Sequence, residues 1–176
     1  TEAGGHIGEI TTMCLTPQIC DAVSIPVVCA GGIADVRGAA AAFALGADGI
    51  QVGTRFICSD ECIAHENYKE AVIKAKDRDA VVTGRSTGAP VRALKNKLTK
   101  EYQRLEGENA PAEEIEKLGM GGLRRAFAEG DTQMGSLMAG QSAAMGKKIE
   151  PCAEIIKSYF DGIGEVLDKI KNNTER

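Results

Sequence analysis

The chain has 176 residues, 43% hydrophobic and 26% charged, and a formal net charge of −4. That balance belongs to a folded domain with a buried core and excludes a disordered chain. With no basic stripe along any predicted helix, no apolar run long enough to cross a bilayer and no signal-peptide pattern, neither nucleic acid nor a membrane is an expected partner, and a cytoplasmic address is expected.

The chain opens on Glu2-Ala3-Gly4-Gly5-His6-Ile7-Gly8, one histidine among glycines, a loop that brings backbone close to a flat ligand and exposes an imidazole. His6 reads either as a proton donor or acceptor beside such a ligand or as a solvated turn residue. Thr11-Thr12 and Pro17 open a short helix through Val23, with Ile19, Cys20 and Val23 on its apolar face. Ile25 to Ala30 is a β-branched run without alternation, the pattern of a parallel strand buried on both faces. Asp35 is placed to cap an alanine-rich helix from Val36 to Leu45, and Gly46 to end it. Gly49 to Val52 forms a second strand, completing a βαβ unit whose strands both break into glycine: Gly31-Gly32 and Gly53, the latter followed by Thr54. Two such turns at one end of a parallel sheet suit a phosphate, which backbone N–H groups reach when no Cβ intervenes.

A helix follows with Tyr68, Val72 and Ala75 on one face, His65 being read as a surface or capping residue. From about residue 80 to 135 the character changes. Val81-Val82-Thr83 is a short strand, residues 84–90 a loop, and Val91, Leu94, Leu98, Tyr102 and Leu105 one face of a long amphipathic helix. Lys95, Lys97 and Lys100 lie off that face, either as a solvated surface or as a place to receive an acidic carrier protein or a nucleotide. Shorter helices at residues 112–118 and 123–128 complete a mostly helical lid. The glycine-punctuated loop at residues 130–141 returns the chain to the ligand. A helix from Pro151 carries a broad apolar stripe from Ile155 to Ile170, and residues 171–176 form a fraying tail. Cys14, Cys20, Cys29, Cys58, Cys62 and Cys152, without a Cys-x-x-Cys pair, read as buried free thiols rather than a disulfide or zinc framework.

In order and spacing, Glu2-Ala3-Gly4-Gly5-His6-Ile7-Gly8, Ala30-Gly31-Gly32-Ile33-Ala34 and Gln51-Val52-Gly53-Thr54-Arg55-Phe56 resemble the FMN-dependent family of nitronate monooxygenases and FabK-type enoyl-[acyl-carrier-protein] reductases. The resemblance extends through Gly84-Arg85-Ser86-Thr87-Gly88, Val91-Arg92-Ala93-Leu94-Lys95-Asn96 and Gly135-Ser136-Leu137-Met138-Ala139-Gly140-Gln141, stretches more like the reductase branch. It implies an α/β fold, the carboxyl-terminal part of a TIM-type (β/α)8 barrel, with residues 1–79 as barrel, 80–135 as an inserted lid and 136–176 as a return loop and closing helix. The family's first barrel strands have no counterpart here, so the chain is expected to be part of a longer protein. The implied cofactor is FMN, with its phosphate on Gly31, Gly32, Gly53 and Thr54, and with Gln51, Val52, Gly5, Ser136 and Met138 along it. His6 falls on the active-site histidine. The implied reaction is reduction of a trans-2-enoyl thioester of acyl-carrier protein or coenzyme A by NADH or NADPH, in a homodimer of bacterial fatty-acid synthesis. Nitronate oxidation by oxygen, or an inactive scaffold fragment, are the alternatives.

Overall fold

The computed structural model describes residues 1–175. Its strands are Gly5–His6 (β1), Val28–Ala30 (β2), Gly49–Gln51 (β3), Ala80–Thr83 (β4) and Val91–Leu94 (β5). Its α-helices are Thr12–Ala22 (α1), Val36–Ala44 (α2), Thr54–Ile57 (α3), Glu66–Lys74 (α4), Lys97–Gly107 (α5), Ala112–Gly119 (α6), Gly122–Phe127 (α7), Cys152–Phe160 (α8) and Ile163–Thr174 (α9), with a short 3-10 helix at Gln141–Met145. β2 and β3 pair in parallel, Val28 opposite Gly49, with α2 as their connection, as the βαβ reading requires. Asp35 caps α2 by accepting from the N–H groups of Arg37 and Gly38, and the Arg37 guanidinium beside it holds its carboxyl below the usual range. His65 caps α4, its Nδ1 accepting from Asn67 N at 3.1 Å.

Several expectations change. Val91–Leu94 is not the start of a helix: it pairs antiparallel with β4, Ala80 opposite Leu94, and β1 adds to its other side, giving the order β1-β5-β4. Over so short a run two apolar residues at i and i+3 fit a strand covered on both faces as well as one face of a helix. The start of α5 is set instead by Asn96, which accepts from Thr99 N while Thr99 Oγ1 accepts from Asn96 N, a reciprocal cap. The closing stripe is split by Gly162, in the left-handed region at φ 80°, into α8 and α9. Ile155 and Tyr159 are buried against α2, whereas Ile156, Phe160, Leu167 and Ile170 remain half exposed. α9 stays helical to Thr174 instead of fraying from residue 171, and Arg176 lies outside the described residues. Finally, β2 is covered on one face only: Cys29 is buried, but Val28 is 58% exposed, and Ile25 and Met13 of α1 lie open nearby in the chain. All six cysteines are free, only Cys29 and Cys58 being buried.

Two apolar clusters hold the fold. One joins α2, β2, β3 and α8 through Cys29, Ile33, Ala39, Ala42, Ile155 and Tyr159, with the Phe43 and Phe160 rings stacked 6.5 Å apart. The other gathers Tyr68, Val72, Leu94, Ala126, Leu137 and Ala139. Between them the segment around residue 139 runs against the opening loop. Gln141 N donates to Glu2 O at 2.9 Å, Leu94 N to Leu137 O at 2.8 Å, and Tyr68 Oη to Met138 O at 2.7 Å. The backbones are so close that a Cβ on Gly4 would lie 2.7 Å from the backbone of Ala139, and one on Gly140 2.7 Å from Glu2 O. Arg55 locks the exit from this seam, pairing with the Glu150 carboxylate and donating to Lys148 O at 3.0 Å.

We expect Gly4→Ala to lose roughly 2 kcal/mol of stability, in the range for overpacking against rigid neighbours. Gly164→Ala in α9, where an added Cβ meets nothing within 4 Å, should be neutral or up to about 1 kcal/mol stabilising. Urea unfolding of both variants tests this, and equal midpoints would remove the seam from the stability argument.

Candidate functional site

Two cavities flank β1. Along a strand, successive side chains point to opposite sides, and here Gly5 lines one cavity while His6 lines the other. The first, about 290 Å³, is walled by both glycine turns. Gly31 and Gly32 hold φ values of 104° and 77°, conformations that L side chains rarely adopt. Thr12 Oγ1 donates to Gly31 O at 2.9 Å, and Thr12 N donates to Glu2 Oε2 at 2.8 Å, so the start of α1 and the opening loop fix the first turn from outside. Among the described residues, the backbone N–H groups of Gly32, Gly53 and Thr54 have no protein acceptor. Backbone donors seldom go unpaired unless solvent or a ligand takes them. A Cβ on Gly53 would meet nothing within 4 Å and stand in the cavity itself. Thr54 Oγ1 accepts from Gly140 N at 2.9 Å, which leaves its own proton for an oxygen in the cavity. These free donors, close together and unobstructed by side chains, make the surface expected for a phosphate group.

The second cavity, about 380 Å³, lies between β1, the ends of β4 and β5, and α5 to α7. Val91, Leu98, Ile115, Met120 and Leu123 supply apolar walls, Thr83, Tyr102 and Ser136 add hydroxyls, and Glu116 and Arg124 stand on the α6 and α7 side. Burial raises the Tyr102 phenol above its ordinary range, with the Glu106 carboxylate adding to the effect, so it stays protonated and able to donate near neutral pH. The exposed His6 ring faces this space, and no protein group among the described residues hydrogen-bonds it. Met138 lines both cavities and forms the partition between them.

Of the residues singled out in the sequence, Gly5, Gly31, Gly32, Gln51, Val52, Gly53, Thr54 and Met138 come together around the first cavity. Ser136 does not: it lines the second, with His6. The family resemblance places both along the cofactor; Met138 N bonds to Ser136 O at 3.1 Å in a tight turn, and of the two only Met138 reaches the first cavity. Sequence reasoning missed Glu2 and Gly140 in the first cavity and Tyr102 and Ile115 in the second. Glu2 and Gly140 stood within quoted motifs, so their neighbours' roles were the available signal. Tyr102 was read as part of an apolar stripe, and periodicity cannot tell a core face from a cavity wall.

The nitronate monooxygenase family model matches residues 1–162. The chain belongs to that family. It is 35% identical over 178 aligned residues to a probable nitronate monooxygenase of Staphylococcus aureus, covering 95% of this chain and 50% of that protein. In three dimensions it matches FabK from Thermotoga maritima with a TM-score of 0.92 and 46% identity, over 98% of this chain and 55% of that one. It also matches a nitroalkane oxidase from Streptomyces ansochromogenes with a TM-score of 0.77 and 32% identity, over 97% of this chain and 51% of that one. The chain therefore spans about half the length of the relatives it matches, and its fold is the corresponding α/β portion of those enzymes. Among the described residues no helix is long and apolar enough to cross a membrane.

Because an added side chain at Gly53 strains nothing in the protein, Gly53→Val should leave the unfolding midpoint unchanged while lowering affinity for an FMN phosphate at least about tenfold, roughly the cost of one lost good contact. Flavin fluorescence titration reads this directly. Undiminished FMN affinity would displace the phosphate from these turns.

Proposed function

We propose that the complete protein is an FMN-dependent enoyl thioester reductase using NADH or NADPH. The observation that carries this reading is the cavity of about 380 Å³ with five large apolar side chains on its walls, adjoining the glycine-lined one, with His6 at its edge. A space of that size with aliphatic walls suits an acyl chain, whereas a small nitronate leaves most of it unfilled. The likeness to FabK supports the same choice. The residues fit FMN: Gly31, Gly32, Gly53 and Thr54 would hold its phosphate, and Gln51, Val52, Gly5 and Met138 would line the remainder. The chemistry FMN supplies when bound is two-electron transfer between a nicotinamide and the β-carbon of an α,β-unsaturated thioester.

This chain's own part is positioning and proton handling. The alternation of β1 puts the His6 imidazole on the acyl side of the partition, where it would deliver a proton to the substrate α-carbon or orient the thioester carbonyl. The apolar walls exclude water from the chain beyond the double bond. Ser136 and Tyr102 are the hydroxyls available to the thioester end.

A second reading, oxidation of alkyl nitronates by oxygen, draws on the family model and the staphylococcal relatives. In that reaction His6 would act as a base toward a neutral nitroalkane. The two separate in one assay on the flavin-loaded protein. Reductase activity consumes NADH or NADPH only when an enoyl thioester is added; monooxygenase activity takes up oxygen with a nitronate and no nicotinamide, and that outcome would replace our reading. In the reductase assay, His6→Ala should retain FMN and lose at least about tenfold in turnover at saturating substrate, the low end of acid-base contributions. Unchanged turnover would remove His6 from the chemistry.

A further inference from the structure

On the other side of β5 from the acyl cavity, a cleft of about 530 Å³ is lined by Lys74, Lys95, Lys97 and Lys100 with Asn96 and Gln133. We propose that this basic cleft docks the acidic protein that carries the enoyl thioester. The inference rests on the reductase reading above.

The chain as a whole carries a net charge of −4, so four ammonium groups around one hollow run against its overall charge. Lys74 is paired with Glu70 at 2.6 Å. Lys95, Lys97 and Lys100 are exposed, and among the described residues none has a carboxylate within ion-pair distance. The one carboxylate on the cleft wall, Asp79, is engaged by backbone, its Oδ2 accepting from Lys76 N at 2.8 Å.

The form of the site selects an acidic protein over a small phosphorylated ligand. A compact phosphate needs fixed backbone donors, and those at the start of α5 are already used: Thr99 N donates to Asn96 Oδ1 and Leu98 N to Gln133 O, both at 3.0 Å. What remains is a set of long, mobile, solvated cations, which attract an extended negative surface and steer its approach. Position points the same way, because the wall between cleft and acyl cavity is a single layer of chain. Leu98 lines the cavity while Lys97 and Lys100 line the cleft; likewise Ser136 lines the cavity and Leu137 the cleft. A carrier seated there rests beside the cavity that must take its acyl cargo.

The test compares the complete, flavin-loaded protein with its Lys95→Glu, Lys97→Glu, Lys100→Glu triple variant. Substrates are an enoyl thioester on acyl-carrier protein and the same acyl group on neutral N-acetylcysteamine. We expect the variant to lose at least tenfold in kcat/KM on the carrier-linked substrate and to stay within twofold on the neutral one. Added salt should slow the unsubstituted enzyme on the carrier and leave the variant little changed. An equal loss on both substrates, or no loss on either, overturns the proposal. A Lys→Gln triple variant repeats the comparison without added negative charge, and flavin content and melting temperature check that all three proteins fold alike. If the unsubstituted enzyme reduces neither thioester, the reductase reading fails. Fluorescence anisotropy with labelled acyl-carrier protein then judges the surface alone: salt-sensitive binding that the triple variant loses supports it, and binding equal in both or absent from both overturns it.

Discussion

The fold depends on two backbones passing in contact with no side chain between them. Gly4 faces Ala139, and Gly140 faces Glu2, at separations that exclude a Cβ. Hydrogen bonds from Gln141 to Glu2, from Gly140 to Thr54 and from Tyr68 to Met138 stitch this contact to the parallel pair on one side and to α4 on the other. The strands of the β2–β3 unit and of the β1-β5-β4 sheet never pair, so the seam, with the packing of α3 on α4, is what joins them.

The same contact divides the ligand space. Met138 stands on it and borders both cavities, and β1, running alongside, gives Gly5 to one and His6 to the other. One region is built from backbone donors and glycine, the other from aliphatic walls with a few hydroxyls and with Glu116 and Arg124 on its lining. The short alternating strand brings these two different chemistries together with the imidazole at their border.

Much of this was legible in the sequence where a local rule acts alone. The paired glycine turns, the Asp35 cap on α2 and the His65 cap on α4 follow from residue type and spacing. What escaped were features decided at long range. Val91–Leu94 is a strand because β1 and β4 lie on either side of it, and β1 comes from the far end of the chain. The cap formed by Asn96 and Thr99 was the local sign of where the helix starts, but the apolar spacing of Val91, Leu94 and Leu98 ran through it. That Met138 borders both cavities and Ser136 only the second depends on a tight turn between them that no periodicity announces. Lys95, Lys97 and Lys100 were visible as charges; that they share one hollow with Lys74 is decided by where the fold brings the end of α4.

The hydrogen bond from Val27 N to the Asp48 carboxylate, at 2.8 Å, fixes how far the parallel ladder runs. Pro26 has no N–H to offer and Val27 N is spent on that carboxylate, so pairing is confined to Val28 to Ala30 against Gly49 to Gln51. The register set there carries through to the turns beyond: a slip of one residue would move Gly32 about 3.3 Å along the strand relative to Gly53 and Thr54, enough to break up their group of donors. Asp48, outside both cavities, thus aligns the two glycine turns from the opposite end of the strands.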